Sequence, residues 1–176
     1  MRRTLGLLLA GLLLLSSAPA SAAAAAGYPD VPAGSWAADS IAYAQTQGLM
    51  QGVGGGLFGY GRTITRAEFV TILCRMFGWE TVSPTAASFS DVASGIWYYS
   101  YIETAAANGA VTPGGSFRPL EAITREEMAV MLVHALGYED IAATAASYDL
   151  PFTDLEGADR GAIAVYRVLN LRAEFH

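Results

Sequence analysis

Two arginines occur in the same setting, Thr65-Arg66-Ala67-Glu68 and Thr124-Arg125-Glu126-Glu127. In both, Thr and Glu three residues apart fit a helix capping box. The hydroxyl accepts a backbone N–H from the third helical residue, and the carboxylate reaches back to the cap. The cap asks nothing of the residue between. A cation in a helix's first turn is unfavourable by about 0.3 kcal/mol or more, so Arg66 and Arg125 suggest a purpose beyond the helix. An anion seated between a helix N-terminus and a guanidinium fork would use both. The competing use is a salt bridge, with Asp30 or Asp91 as the partner.

Other chemistries lack their residues. The chain has ten arginines and no lysine, which excludes a P-loop. Gly54-Gly55-Gly56-Leu57-Phe58-Gly59 matches G-x-G-x-x-G, but no strand run precedes it. One internal histidine, His134, and a single cysteine leave no zinc set and no nucleophilic triad. No metal, no cofactor and no catalytic activity are expected. Cys74 has no intramolecular disulfide partner and reads as a small buried hydrophobe.

The N-terminus carries its own signal. Arg2 and Arg3 precede the apolar run Leu5 to Leu15, and Ala20-Ser21-Ala22 supplies a cleavage pattern. This is expected to be a secretory signal peptide over residues 1–22, too short to span a bilayer. Removing those residues and their two arginines leaves 154 residues and takes the formal charge from −6 to −8. So acidic a chain has no general electrostatic footprint for nucleic acid.

The elements that position these residues come from an internal repeat. Tyr28-Pro29-Asp30-Val31 recurs as Phe89-Ser90-Asp91-Val92, followed at equal spacing by Trp36 and Trp97, Ile41 and Ile102, Gly48 and Gly109. The offset is 61. It falls to 59 for Phe58 and Phe117, Ile64-Thr65-Arg66 and Ile123-Thr124-Arg125, and Gly78 and Gly137. A third copy opens at Phe152-Thr153-Asp154-Leu155, aligns Ile163 with Ile102, and has Asp159 and Arg160 near the tryptophan position. It stops short of an Ile-Thr-Arg segment.

Each repeat reads as helix, Gly-rich turn, helix. The first helices are predicted over Trp36 to Gln47 and Trp97 to Asn108. The second begin at Thr65 and Thr124, with Ile64 and Ile123 stapled to Phe69 and Met128, and end at Gly78 and Gly137. Phe69, Ile72, Leu73 and Met76 form one apolar face, as do Met128, Met131, Leu132 and Ala135. Trp36 and Trp97 read mainly as core anchors, with a ring edge that could still meet a sugar. Of Tyr98, Tyr99 and Tyr101, at least one should be exposed. Asp30, Asp91 and Asp154 read first as turn-formers. Arg75 and His134 occupy matching places in a last helical turn, where positive charge suits the dipole.

In order and spacing these residues resemble the S-layer homology repeat, with its aromatic-x-Asp-Val opening, Trp-led helix, Gly, Phe-containing turn and Ile-Thr-Arg-x-Glu start. Phe89 to Gly137 fits closely. Tyr28 to Gly78 has Tyr60 where the second copy, like the family, has Pro119. With the signal peptide (1–22) already read, the chain is expected to divide into a linker (23–27), repeat 1 (28–78), a linker (79–88), repeat 2 (89–137), a linker (138–151) and a partial repeat 3 (152–176). The resemblance implies an all-α fold of tandem helix–loop–helix repeats packed as an incomplete pseudo-threefold bundle. It implies a noncovalent cell-wall anchor that binds an anionic, often pyruvylated, polysaccharide through inter-repeat grooves. Arg66 and Arg125 would contact acidic groups, while Asp30, Asp91, Trp36 and Trp97 shape the sugar contacts. The expected location is the cell surface, with no membrane span once the signal is cleaved. A homodimer completing the third repeat is a further expectation. The alternatives are a secreted protein–protein assembly module, or the anchor fragment of a larger surface protein.

Overall fold

The computed structural model describes residues 27–147 and 159–168. The signal segment, Asp154 and the chain end fall outside the described residues.

Local chemistry sets the second helix of each repeat. In α2 (Arg66–Phe77), Thr65 accepts the Glu68 N–H and Glu68 accepts the Thr65 N–H at 2.8 Å, so the capping box is complete. In α4 (Arg125–Ala135), Thr124 and Glu127 repeat the exchange at 3.1 and 3.0 Å. α2 closes on Gly78 at φ 64°, the left-handed cap that glycine adopts without steric cost.

The first helices, α1 (Ala38–Thr46) and α3 (Tyr99–Ala107), start two residues later than predicted and have no side-chain cap. This moves the tryptophans out of the core. Trp36 is 83% exposed and Trp97 57%, whereas the positions that follow, Ala37 and Ala38, Tyr98 and Tyr99, are buried. The core-anchor reading of the tryptophans is therefore corrected. Tyr98 takes the interior place, and Trp97 rests edge-on against it with ring centroids 5.2 Å apart. The expectation of an exposed tyrosine is corrected as well: Tyr98 and Tyr99 are each 5% exposed and Tyr101 is half-buried.

The second helices are rotated relative to the predicted face. α2 buries Ala67, Val70, Leu73 and Cys74, while Met76 is 50% exposed. The face shifts because α2 packs on the first helix of the next repeat, α3. α4 likewise packs on α6 (Arg160–Val168). α6 begins 61 residues after α3, the spacing that also separates α3 from α1. Helices thus pair across sequence repeats, and successive repeats interlock. α1 buries its inner face on its own loops, with Val31, Ala37, Ala38 and Ile41 against Tyr28, Phe58 and Tyr60.

One helix lies where a linker is expected. α5 (Glu139–Ala145) packs tightly on α6. A Cβ on Gly161 would sit 2.0 Å from the Ala142 carbonyl oxygen, so the crossing exists only because that residue is glycine. The described residues contain six helices and, in place of sheet, two isolated bridges at Gly54–Leu57 and Thr65–Ala122. The fold is all-α. Among the described residues no helix is long and apolar enough to cross a membrane.

Candidate functional site

Matching positions of the two repeats build a pair of grooves. The first, about 600 Å³, is walled by Ile41, Leu49, Met50 and Gln51, by the Gly-rich turn with Phe58 and Tyr60, and by Glu68, Ile72 and Arg75 of α2. Trp36 and Trp97 both line it, so residues of two repeats shape one groove. The second, about 240 Å³, uses the equivalent Ala110, Val111, Thr112, Phe117, Glu127, Met131 and His134, and adds Arg66 from the preceding repeat.

Asp30 and Asp91 set the turns over these grooves. Asp30 accepts the backbone N–H groups of Phe58, Gly59 and Tyr60 at 2.9, 2.7 and 3.0 Å. Asp91 accepts those of Phe117 and Arg118 at 2.7 and 2.8 Å, and the Ser116 hydroxyl at 2.6 Å. Each carboxylate therefore gathers donors some 25 to 30 residues away. The Phe58 N–H, joined by those of Tyr60 and Gly59, outweighs burial and lowers the Asp30 pKa below its ordinary value. Burial works to raise Asp91, but the Ser116 hydroxyl and the two N–H groups outweigh it, and its pKa is lowered too.

Arg66 is buried, 9% exposed. Its Nε donates to the Phe117 carbonyl at 2.7 Å, its Nη1 pairs with Glu127 at 2.6 Å, and its Cζ lies 4.8 Å from the Phe117 ring centroid. The salt-bridge partner is therefore the capping glutamate of the next repeat, not Asp30 or Asp91. The first-turn donors of α2 are also occupied: the Arg66 and Ala67 N–H groups donate to the Glu121 and Pro119 carbonyls at 2.9 and 3.0 Å. An anion at that helix N-terminus would find its donors taken, which corrects the expected seat. Arg125 lies exposed in the first turn of α4, engaged in contacts of its own.

Each capping glutamate has its own arginine clamp. Glu68 pairs with Arg62, and Glu127 pairs with both Arg66 and Arg118. Arg118 occupies the place of Gly59 and keeps that position's positive φ, at 61°. A non-glycine residue there is strained by about 1 kcal/mol, offset by its bonds to Glu121 and Glu127. Burial works to raise both glutamates. The Arg62 hydrogen bond at Glu68, and the Thr124 N–H with Arg66 and Arg118 at Glu127, prevail and lower both pKa values.

Arg75, whose place suits a helix-end charge, also lines the first groove. Its Nη1 donates to the Leu49 carbonyl at 3.1 Å, and its Cζ sits 5.6 Å from the Tyr101 ring centroid. Its presence in a groove follows from the rotation of α2, which the apolar spacing alone does not signal. Among the described residues no group of three or more His, Cys, Asp or Glu could hold a metal ion.

The S-layer homology domain model matches residues 27–70 and 88–129, the two repeats that build these grooves. The chain is 39% identical over 97 residues to a surface layer protein of Brevibacillus choshinensis, covering 52% of this chain and 9% of that protein. It is 36% identical over 115 residues to the S-layer protein sap of Bacillus anthracis, covering 65% and 14%. It is 34% identical over 119 residues to endo-1,4-beta-xylanase A of Thermoanaerobacterium saccharolyticum, covering 67% and 10%. The chain thus spans about a tenth of the length of these relatives. With a repeat offset of 61, two capping boxes and grooves shared between repeats, the chain belongs to the S-layer homology family of cell-surface proteins.

Proposed function

We propose that the module anchors its protein noncovalently to an anionic, carboxylate-bearing polysaccharide of the cell wall, through the two grooves, and that it acts by holding rather than by catalysis. The observation that carries this reading is the pair of exposed indoles on the rim of an open groove. Large aromatic faces left in water at a cleft suit the apolar face of a sugar ring. Asp30 and Asp91 contribute by fixing the turns, while Arg66 in the second groove and Arg125 on α4 offer cations to acidic substituents. A ligand carboxylate reaching Arg66 competes with Glu127, so that contact is worth only the difference between two carboxylates.

A relative named as a xylanase matches this chain over only a tenth of its own length. This supports a carried attachment module and not a catalytic unit. The domain boundaries 28–78, 89–137 and 152–176, and the signal peptide over 1–22, belong to the same proposal.

The test is co-sedimentation of the processed chain with purified wall sacculi, before and after chemical extraction of their non-peptidoglycan polysaccharide. Binding to intact sacculi and loss after extraction are expected. Equal binding to extracted peptidoglycan, or no binding at all, would overturn the proposal. A chain of charge −8 has no bulk attraction for a polyanion, so binding should survive a rise from 50 to 300 mM salt with less than a threefold change.

A further inference from the structure

The two grooves use equivalent positions but differ in how their cations are committed. Arg62 and Arg66, which line them, are paired with Glu68 and Glu127. Arg75, in the first groove, has no carboxylate within 4 Å among the described residues. It is nonetheless held in place, by a neutral carbonyl on one side and the Tyr101 ring on the other. A guanidinium carries five N–H donors, of which the Leu49 carbonyl uses one. A half-buried cation fixed by uncharged partners keeps its charge for an incoming anion, and no internal carboxylate has to be displaced first. This cation stands in the same groove as the exposed indoles of Trp36 and Trp97.

We propose that Arg75 is the carboxylate-binding residue of the first groove, where an acidic sugar lies against Trp36 and Trp97 with its carboxylate on the Arg75 guanidinium. The inference rests on the wall-polysaccharide reading and names the ligand chemistry, a sugar-borne carboxylate. The second repeat has His134 at this place, so its groove lacks a permanent cation there.

The experiment titrates the ¹⁵N-labelled full chain with sodium glucuronate and, in parallel, with glucose. The three indole N–H signals are followed, with Trp79, which is stacked on Phe77, as internal reference. Glucuronate should move Trp36 and Trp97 and leave Trp79 in place, and glucose at equal concentration should move them less than half as far. Arg75→Gln and Arg75→His should each weaken glucuronate at least fivefold at pH 7.5. The His variant, which installs the residue the second repeat already folds with, should recover most of that loss at pH 5.5 as the imidazole gains a proton. Glu68 in the same groove is already held ionised by Arg62, with a lowered pKa, and does not mimic that recovery. A purely structural role for Arg75 would give no acid recovery. Glucuronate leaving the indoles unmoved, equal responses to both sugars, or unchanged affinity in the variants would each overturn the assignment. Wild-type chain and Arg75 variants that bind sacculi equally would sink this inference alone. Failure of the wild type to bind sacculi would sink the reading beneath it.

Discussion

Arg66 shows how one side chain can join two repeats. Its pair with Glu127, its bond to the Phe117 carbonyl and its stacking on the Phe117 ring all cross from repeat 1 to repeat 2. Arg66→Ala would leave the carbonyl unpaired and Glu127 with Arg118 alone. A loss on the order of 2 kcal/mol is expected from such a half-removed buried pair, read as a lower denaturant midpoint at unchanged slope. The acid limb follows from four carboxylates. Asp30, Asp91, Glu68 and Glu127 have folded pKa values below their ordinary 3.8 and 4.5. Their contribution is therefore complete above those values and drains away as pH falls through the folded ones. Stability should be flat from pH 7 to about 5 and decline below about 4.5, with a shallower decline in Glu127→Gln; an equally steep decline in that variant would contradict the clamp. Burial pushes the Cys74 thiol up to about 11, so iodoacetamide at pH 8 should label it only upon unfolding. The Arg66 partner was not legible in the sequence because Glu127 already had a sufficient local duty as a cap. Arg75 was obscured in the same way by its suitability for a helix end.

At the scale of elements, what reads from sequence is what neighbouring residues decide. The capping boxes at Thr65 and Thr124 and the stop at Gly78 depend on residues within one turn, and they appear in the structure as the spacing requires. The faces of the helices depend on partners elsewhere in the chain. Period alone could not show that α2 turns toward α3, nor that Ala37 and Tyr98 would displace Trp36 and Trp97 from the interior. α5 was missed because Glu139–Ala145 is a short, Ala-rich stretch whose helicity comes from docking on α6 rather than from a cap or a strong apolar stripe. That docking gives a direct prediction. Gly161→Ala forces a methyl into the Ala142 carbonyl and should cost about 1–3 kcal/mol by overpacking. Thermal melts and amide exchange should show the loss centred on α5 and α6, with the α2–α3 core keeping its protection. Uniform loss across the chain would mean that the two clusters unfold as one unit.

On the scale of the whole molecule, the interlocking of repeats gives the chain its grooves. Because α2 belongs to the first repeat in sequence but packs on the second, the loops carrying Trp36 and Trp97 are brought to the same cleft. The repeat offset, the all-α class and the family were legible before any coordinates. The groove membership of each side chain was not, since it depends on how repeats mesh. The proposed grip of the exposed indole pair on the wall polymer is decided by a sacculus-binding isotherm for the Trp36→Ala/Trp97→Ala double variant. Trp36 is mostly in water and Trp97 touches chiefly Tyr98, so folding should weaken by no more than about 1–2 kcal/mol. Affinity for sacculi should fall at least tenfold while the far-ultraviolet spectrum stays that of the wild type. A folded double variant that binds sacculi as tightly as the parent chain would show that the indoles do not hold the polymer.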